Sequence, residues 1–71
     1  MTGRPVKHSL TLHGHRTSVS LEEAFWTAFR EIAVAKGVAL NVLAAEIDAG
    51  RCGDVGLASA IRVYVLGQYR G

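Results

Sequence analysis

Arg16, Ser18 and Ser20 alternate with Thr17, Val19 and Leu21, so an extended backbone would put the cation and two hydroxyls on one face and the apolar side chains on the other. Such a face can donate to and accept from a polar surface, but it has no base beside a nucleophile. Its chemistry is recognition. The charge distribution says of what: every charged residue before Ser20 is basic, namely Arg4, Lys7 and Arg16, with His8, His13 and His15 among them. The acids follow, at Glu22, Glu23, Glu31, Glu46, Asp48 and Asp54. A small domain with a basic amino-terminal third points to an anionic partner, of which nucleic acid is the commonest.

Composition narrows the remaining choices. The chain has 71 residues, 49% of them hydrophobic, and a net charge of +2, with a pI near 9.1. A domain this size buries only about 60% of the surface its unfolded chain exposes, so further support is expected. Cys52 is the only cysteine, which excludes an internal disulfide and fits a reducing cytoplasm. Three histidines with no second cysteine or helix-spaced His/Glu pair complete no metal-ligand pattern, and no cofactor or small-molecule substrate is expected. Association with a second copy is the support that remains. No run of about 18 apolar residues and no basic-then-apolar leader occurs, so a cytoplasmic protein without a membrane partner is expected.

The elements that must position the polar face can be read in order. Met1 to Val6 carries Gly3 and Pro5 and reads as a flexible arm, with residues 7–71 as a single domain. Lys7 to Leu12 alternates again, with His8, Leu10 and Leu12 on one side and Lys7, Ser9 and Thr11 on the other. If Gly14-His15 forms a two-residue turn, Leu12 faces Thr17, Leu10 faces Val19 and His8 faces Leu21, bringing the apolar sets together. A longer connection with the first strand elsewhere stays open. Ser20 and Glu23 have the spacing of a capping box, opening a first helix from about Leu21 to Lys36 with Phe25, Ala28, Phe29, Ile32 and Ala33 as its stripe. Trp26, at the border of that stripe, is expected to pack against a partner helix rather than bind a ligand.

Gly37 ends the first helix. A second runs from about Ala39 to Ala49, with Leu40, Leu43, Ala44 and Ile47 inward, and stops at Gly50; its first amides, at Ala39 and Leu40, are a candidate anion site. After a connector from Arg51 to Gly56 containing Cys52, Leu57 to Tyr69 reads as a third helix, apolar nearly all round and expected to pack across a dimer interface.

The combination Gly14-His15-Arg16-Thr17-Ser18-Val19-Ser20-Leu21-Glu22, Phe25-Trp26, Ala28, Arg30-Glu31-Ile32-Ala33, Gly37, Ala45-Glu46-Ile47-Asp48 and Ser59-Ala60-Ile61-Arg62-Val63 resembles the ribbon-helix-helix family of the Arc and MetJ repressors. Within it, the chain is most similar to the short bacterial ribbon-helix-helix domain proteins. The resemblance covers about Lys7 to Tyr69 and implies a mainly α fold with a short β-ribbon, here with an extra amino-terminal strand and a third, carboxy-terminal helix. It implies a homodimer, possibly assembling further on DNA, that regulates transcription by placing its ribbon in the major groove. The base-reading positions are then Arg16, Ser18 and Ser20, since arginine makes a paired contact to guanine and serine can meet several base edges. Lys7, Arg4 and the amides of Ala39 and Leu40 would hold phosphates, and Ser9, Thr11, His13 and His15 could add flanking contacts.

The family's frequent Ser or Thr at the start of the second helix is replaced by Val38-Ala39-Leu40. If the first strand flanks a shared ribbon in each subunit, the sheet has four strands, wider than a groove of about 12 Å admits; the first strand then shifts, swaps or carries contacts itself. An adaptor dimer that keeps the fold and binds protein is the competing function. Six carboxylates spread over helix faces make no catalytic set, so no enzyme and no catalytic residue is expected.

Overall fold

A computed structural model describes residues 3–51 and 54–70; Cys52, and Met1 and Thr2 of the expected arm, lie outside them. The order is β1 (Pro5–Leu12), β2 (His15–Glu22), α1 (Glu23–Lys36), α2 (Leu40–Gly50) and α3 (Leu57–Arg70). Strand β1 therefore starts two residues ahead of the expected Lys7.

The strands form a two-stranded antiparallel hairpin in which Leu12 pairs with His15, Leu10 with Thr17, His8 with Val19 and Val6 with Leu21. This corrects the expected register. The turn residues are His13 and Gly14, not Gly14 and His15, and both have positive φ, 53° and 79°. Positive φ at both central positions is the type I′ requirement, whose twist matches that of the flanking strands; Gly14 meets it without cost. The correction moves the pairing by two residues. An even shift leaves every side chain on its own face, so the apolar sets still coincide.

Leu10, Leu12, Val19 and Leu21 from the inner hairpin face meet Phe29, Ile32 and Ala33 of α1, Leu43 and Ala44 of α2, and Ile61 and Val65 of α3 in one core. The hairpin lies on the three helices as a lid, its outer face turned to solvent. Helix α1 does not begin with the expected capping box. Strand β2 runs on to Glu22, which is itself the N-cap and makes no side-chain cap bond, because Ser20 is still extended and its hydroxyl lies on the outer face. At the other end Gly37, at φ 72°, closes α1: its amide donates to the Val34 carbonyl at 3.0 Å, and the Val38 amide donates to Ala33 at 3.1 Å. That is the Schellman pattern, which needs a left-handed residue there.

Helix α2 continues through Gly50, and α3 packs Ile61 and Val65 inward while Val63, Leu66 and Tyr69 stay exposed. Trp26 is partly buried against the core. It stacks on His8 of β1, with ring centroids 4.0 Å apart and planes 5° from parallel, and tilts against Phe29 of its own helix. Among the described residues no helix is long and apolar enough to cross a membrane.

Candidate nucleic-acid interface

The hairpin register sets the outer face. Lys7 lies opposite Ser20, Ser9 opposite Ser18 and Thr11 opposite Arg16, and all six are exposed. They form three cross-strand rows of hydroxyls and cations. The one acid in the hairpin, Glu22, is at its far end opposite Pro5. Arg4 is exposed just before β1, and His13 and His15 are exposed at the turn, on the same end as Arg16. Thus the structure gathers Arg16, Ser18, Ser20, Lys7, Ser9 and Thr11 on one surface, with the two turn histidines at its tip.

The second candidate anion site is less developed. Ala39 is the N-cap of α2, with no side-chain cap bond; it is exposed and Leu40 half-buried. Asn41, in the first turn of α2, accepts the Thr11 amide on its side-chain oxygen at 3.0 Å, which fixes this helix start beside the Thr11 and Arg16 row.

Two side chains that the sequence reading did not single out hold the hairpin edges. Asn41 is one. The other is Arg62 of α3, whose Nε donates to Glu22 Oε1 at 2.9 Å while a terminal nitrogen reaches Glu22 Oε2 and the Ser20 carbonyl, each at 3.3 Å. The Arg62 guanidinium, together with the backbone amide of Glu22, holds the Glu22 carboxyl below its ordinary value; desolvation opposes them less strongly. The only signal for Arg62 in the sequence is that it is the one ionised side chain in the apolar run from Leu57 to Leu66.

Among the described residues no group of His, Cys, Asp and Glu is gathered for a metal. A groove of about 600 Å³ lies between α2 and α3 and is lined mainly by Leu43, Ile47, Val55, Val63 and Tyr64, with Glu46 and Arg51 as its charged groups. It lies on helices, away from the basic face.

A family model for the ribbon-helix-helix domain matches residues 5–69. Comparison with curated proteins gives no match, and comparison with solved structures gives none either.

Proposed function

Because this chain belongs to the ribbon-helix-helix domain family, whose members are in general DNA-binding regulators rather than enzymes, we propose that it is a dimeric transcriptional regulator of the bacterial cytoplasm. It reads DNA through the outer face of its ribbon. One observation carries this reading: Arg16, Ser18 and Ser20 stand exposed in register with Thr11, Ser9 and Lys7, giving a polar, basic surface with no acid among the six. Arg16 makes the paired contact to guanine, Ser18 and Ser20 meet neighbouring base edges, and Lys7, Arg4 and the first amides of α2 hold phosphates on either side. The homodimer is supported by apolar side chains that one chain leaves in water: Val34 is 80% exposed and Val63 70%.

The test is binding to labelled DNA fragments, including the protein's own promoter, across a salt series, with Arg16→Ala alongside. The expected result is tight binding to one fragment that weakens steeply with salt and is lost in the variant. Weak binding alike on all fragments, unchanged by Arg16→Ala, would instead favour a protein-binding adaptor dimer.

A further inference from the structure

Helix α3 has two unlike sides. Ile61 and Val65 are buried in the core, while Ser59, Val63, Leu66, Gly67 and Arg70 are exposed, and their spacing puts these five on one stripe of the helix. From Leu57 to Tyr69 the only charged side chain is Arg62, which is taken up by Glu22. The stripe is therefore uncharged until Arg70 and apolar at its middle. Val63 also lines the groove between α2 and α3, so the apolar surface continues onto Ile47 and Val55. A continuous surface of this kind marks a contact.

The two ends of the stripe say what covers it. Asp54 stands just before α3 and Arg70 closes it; both are exposed, and neither pairs with another charge among the described residues. A second copy of the same helix, laid antiparallel on a two-fold axis at Val63, places Arg70 opposite Gly56 of the other copy, two residues from its Asp54. Opposite charges then meet at both ends of an apolar middle. Side-chain size fits the same arrangement. Leu66 falls opposite Ala60 and Gly67 opposite Ser59, so large residues face small ones and the helices can approach closely. Glycine is unfavourable inside an exposed helix, and a Cβ at Gly67 would meet nothing within 4 Å. Its own chain gives no reason for Gly67; a second backbone lying across it does.

We propose that a second copy of this chain docks antiparallel along α3, on a two-fold axis at Val63, with Asp54 of each copy beside Arg70 of the other. This rests on the homodimer reading above and deepens it by giving the third helix a contact of its own. No hairpin residue takes part, so the contact adds to pairing through the ribbon and leaves the DNA-reading face free. Burial of Val63 and Leu66 supplies the affinity, because exposed ion pairs contribute little. The charges set the orientation: a parallel copy would bring Arg70 to Arg70 and Asp54 to Asp54.

The test is disulfide cross-linking of Val63→Cys in a Cys52→Ser background, since residues on a two-fold axis meet their own copies. Under mild oxidation a cross-linked dimer is expected from Val63→Cys, and little from Ser59→Cys, which lies one turn off the axis. Adding Asp54→Arg or Arg70→Asp alone is expected to slow cross-linking at Val63→Cys about tenfold, and adding both to restore it. Thermal melting checks that each variant folds, and sedimentation gives the mass of the unsubstituted protein. Copies that associate in sedimentation without cross-linking at Val63→Cys overturn this inference alone, as does cross-linking that ignores both charge reversals. A single-chain mass at every concentration overturns the homodimer reading with it.

Discussion

The His8 imidazole lies flat on the Trp26 indole, 4.0 Å between centroids and 5° from parallel, and this stack joins β1 to α1. It leaves the imidazole Nε2 buried without a hydrogen-bond partner; the Glu23 carboxylate, 3.5 Å away, is too distant for a strong bond. The same side chain therefore stabilises through its face and costs through its edge. A phenyl ring keeps the first and removes the second. His8→Phe is expected to raise stability by about 1 kcal/mol and His8→Ala to lower it by a similar amount, read by denaturant or thermal unfolding.

Arg62 gives the fold a pH dependence with a definite sign. The Glu22 carboxyl titrates lower in the folded chain than its ordinary 4.5, chiefly through the Arg62 hydrogen bonds. A depressed carboxylate contributes stability that is complete above the unfolded value and is lost as pH falls through the folded one. Melting temperature should fall as pH drops from about 5 to 3, and Arg62→Met should start lower and show a flatter decline over that window. A parallel decline in the two proteins would mean that other carboxylates govern the acid response.

How far the sequence reveals this arrangement depends on the range of the interaction. Alternation along Lys7 to Leu12 and Arg16 to Leu21 assigns both hairpin faces, because burial selects by face and face follows parity. It does not locate the turn: pairings that differ by two residues bury the same side chains, and only the positive φ at His13 and Gly14 separates them. Ser20 and Glu23 carry capping-box spacing, yet the same serine is equally apt as an exposed strand residue, and the tertiary pull on Leu21 keeps the chain extended through Glu22. Asn41 and Arg62 act across 30 and 40 residues, where no local pattern reports a partner.

Gly37 is required by conformation, not by space. A Cβ placed there would meet nothing within 4 Å, but its φ of 72° carries a cost for any side chain. Gly37→Ala should destabilise the protein by about 1 kcal/mol, seen as a lower unfolding midpoint with an unchanged denaturant slope. Gly50, which lies within α2 and is equally uncrowded, provides the contrast: Gly50→Ala should be neutral or mildly stabilising through helix propensity.

Arg16 and Lys7 carry the same charge on the same surface at opposite ends of the hairpin, and their substitutions should differ in kind. Arg16 can form a paired contact with one base, so Arg16→Ala should cost about 1–3 kcal/mol on the preferred fragment and relax the choice of base at one position. On the proposed reading Lys7 meets phosphate as a point charge. Lys7→Ala should weaken all fragments by a similar factor and lower the slope of log affinity against log salt by about one. Arg16→Lys separates charge from geometry, since it keeps the cation and discards the planar fork. It is expected to retain the salt slope while losing most of the discrimination, measured as the ratio of affinities for the preferred and a single-base-changed fragment. If Arg16→Lys discriminates as well as arginine, then Arg16 serves as a phosphate anchor, and base choice falls to the hydroxyl rows of Ser9, Ser18 and Thr11.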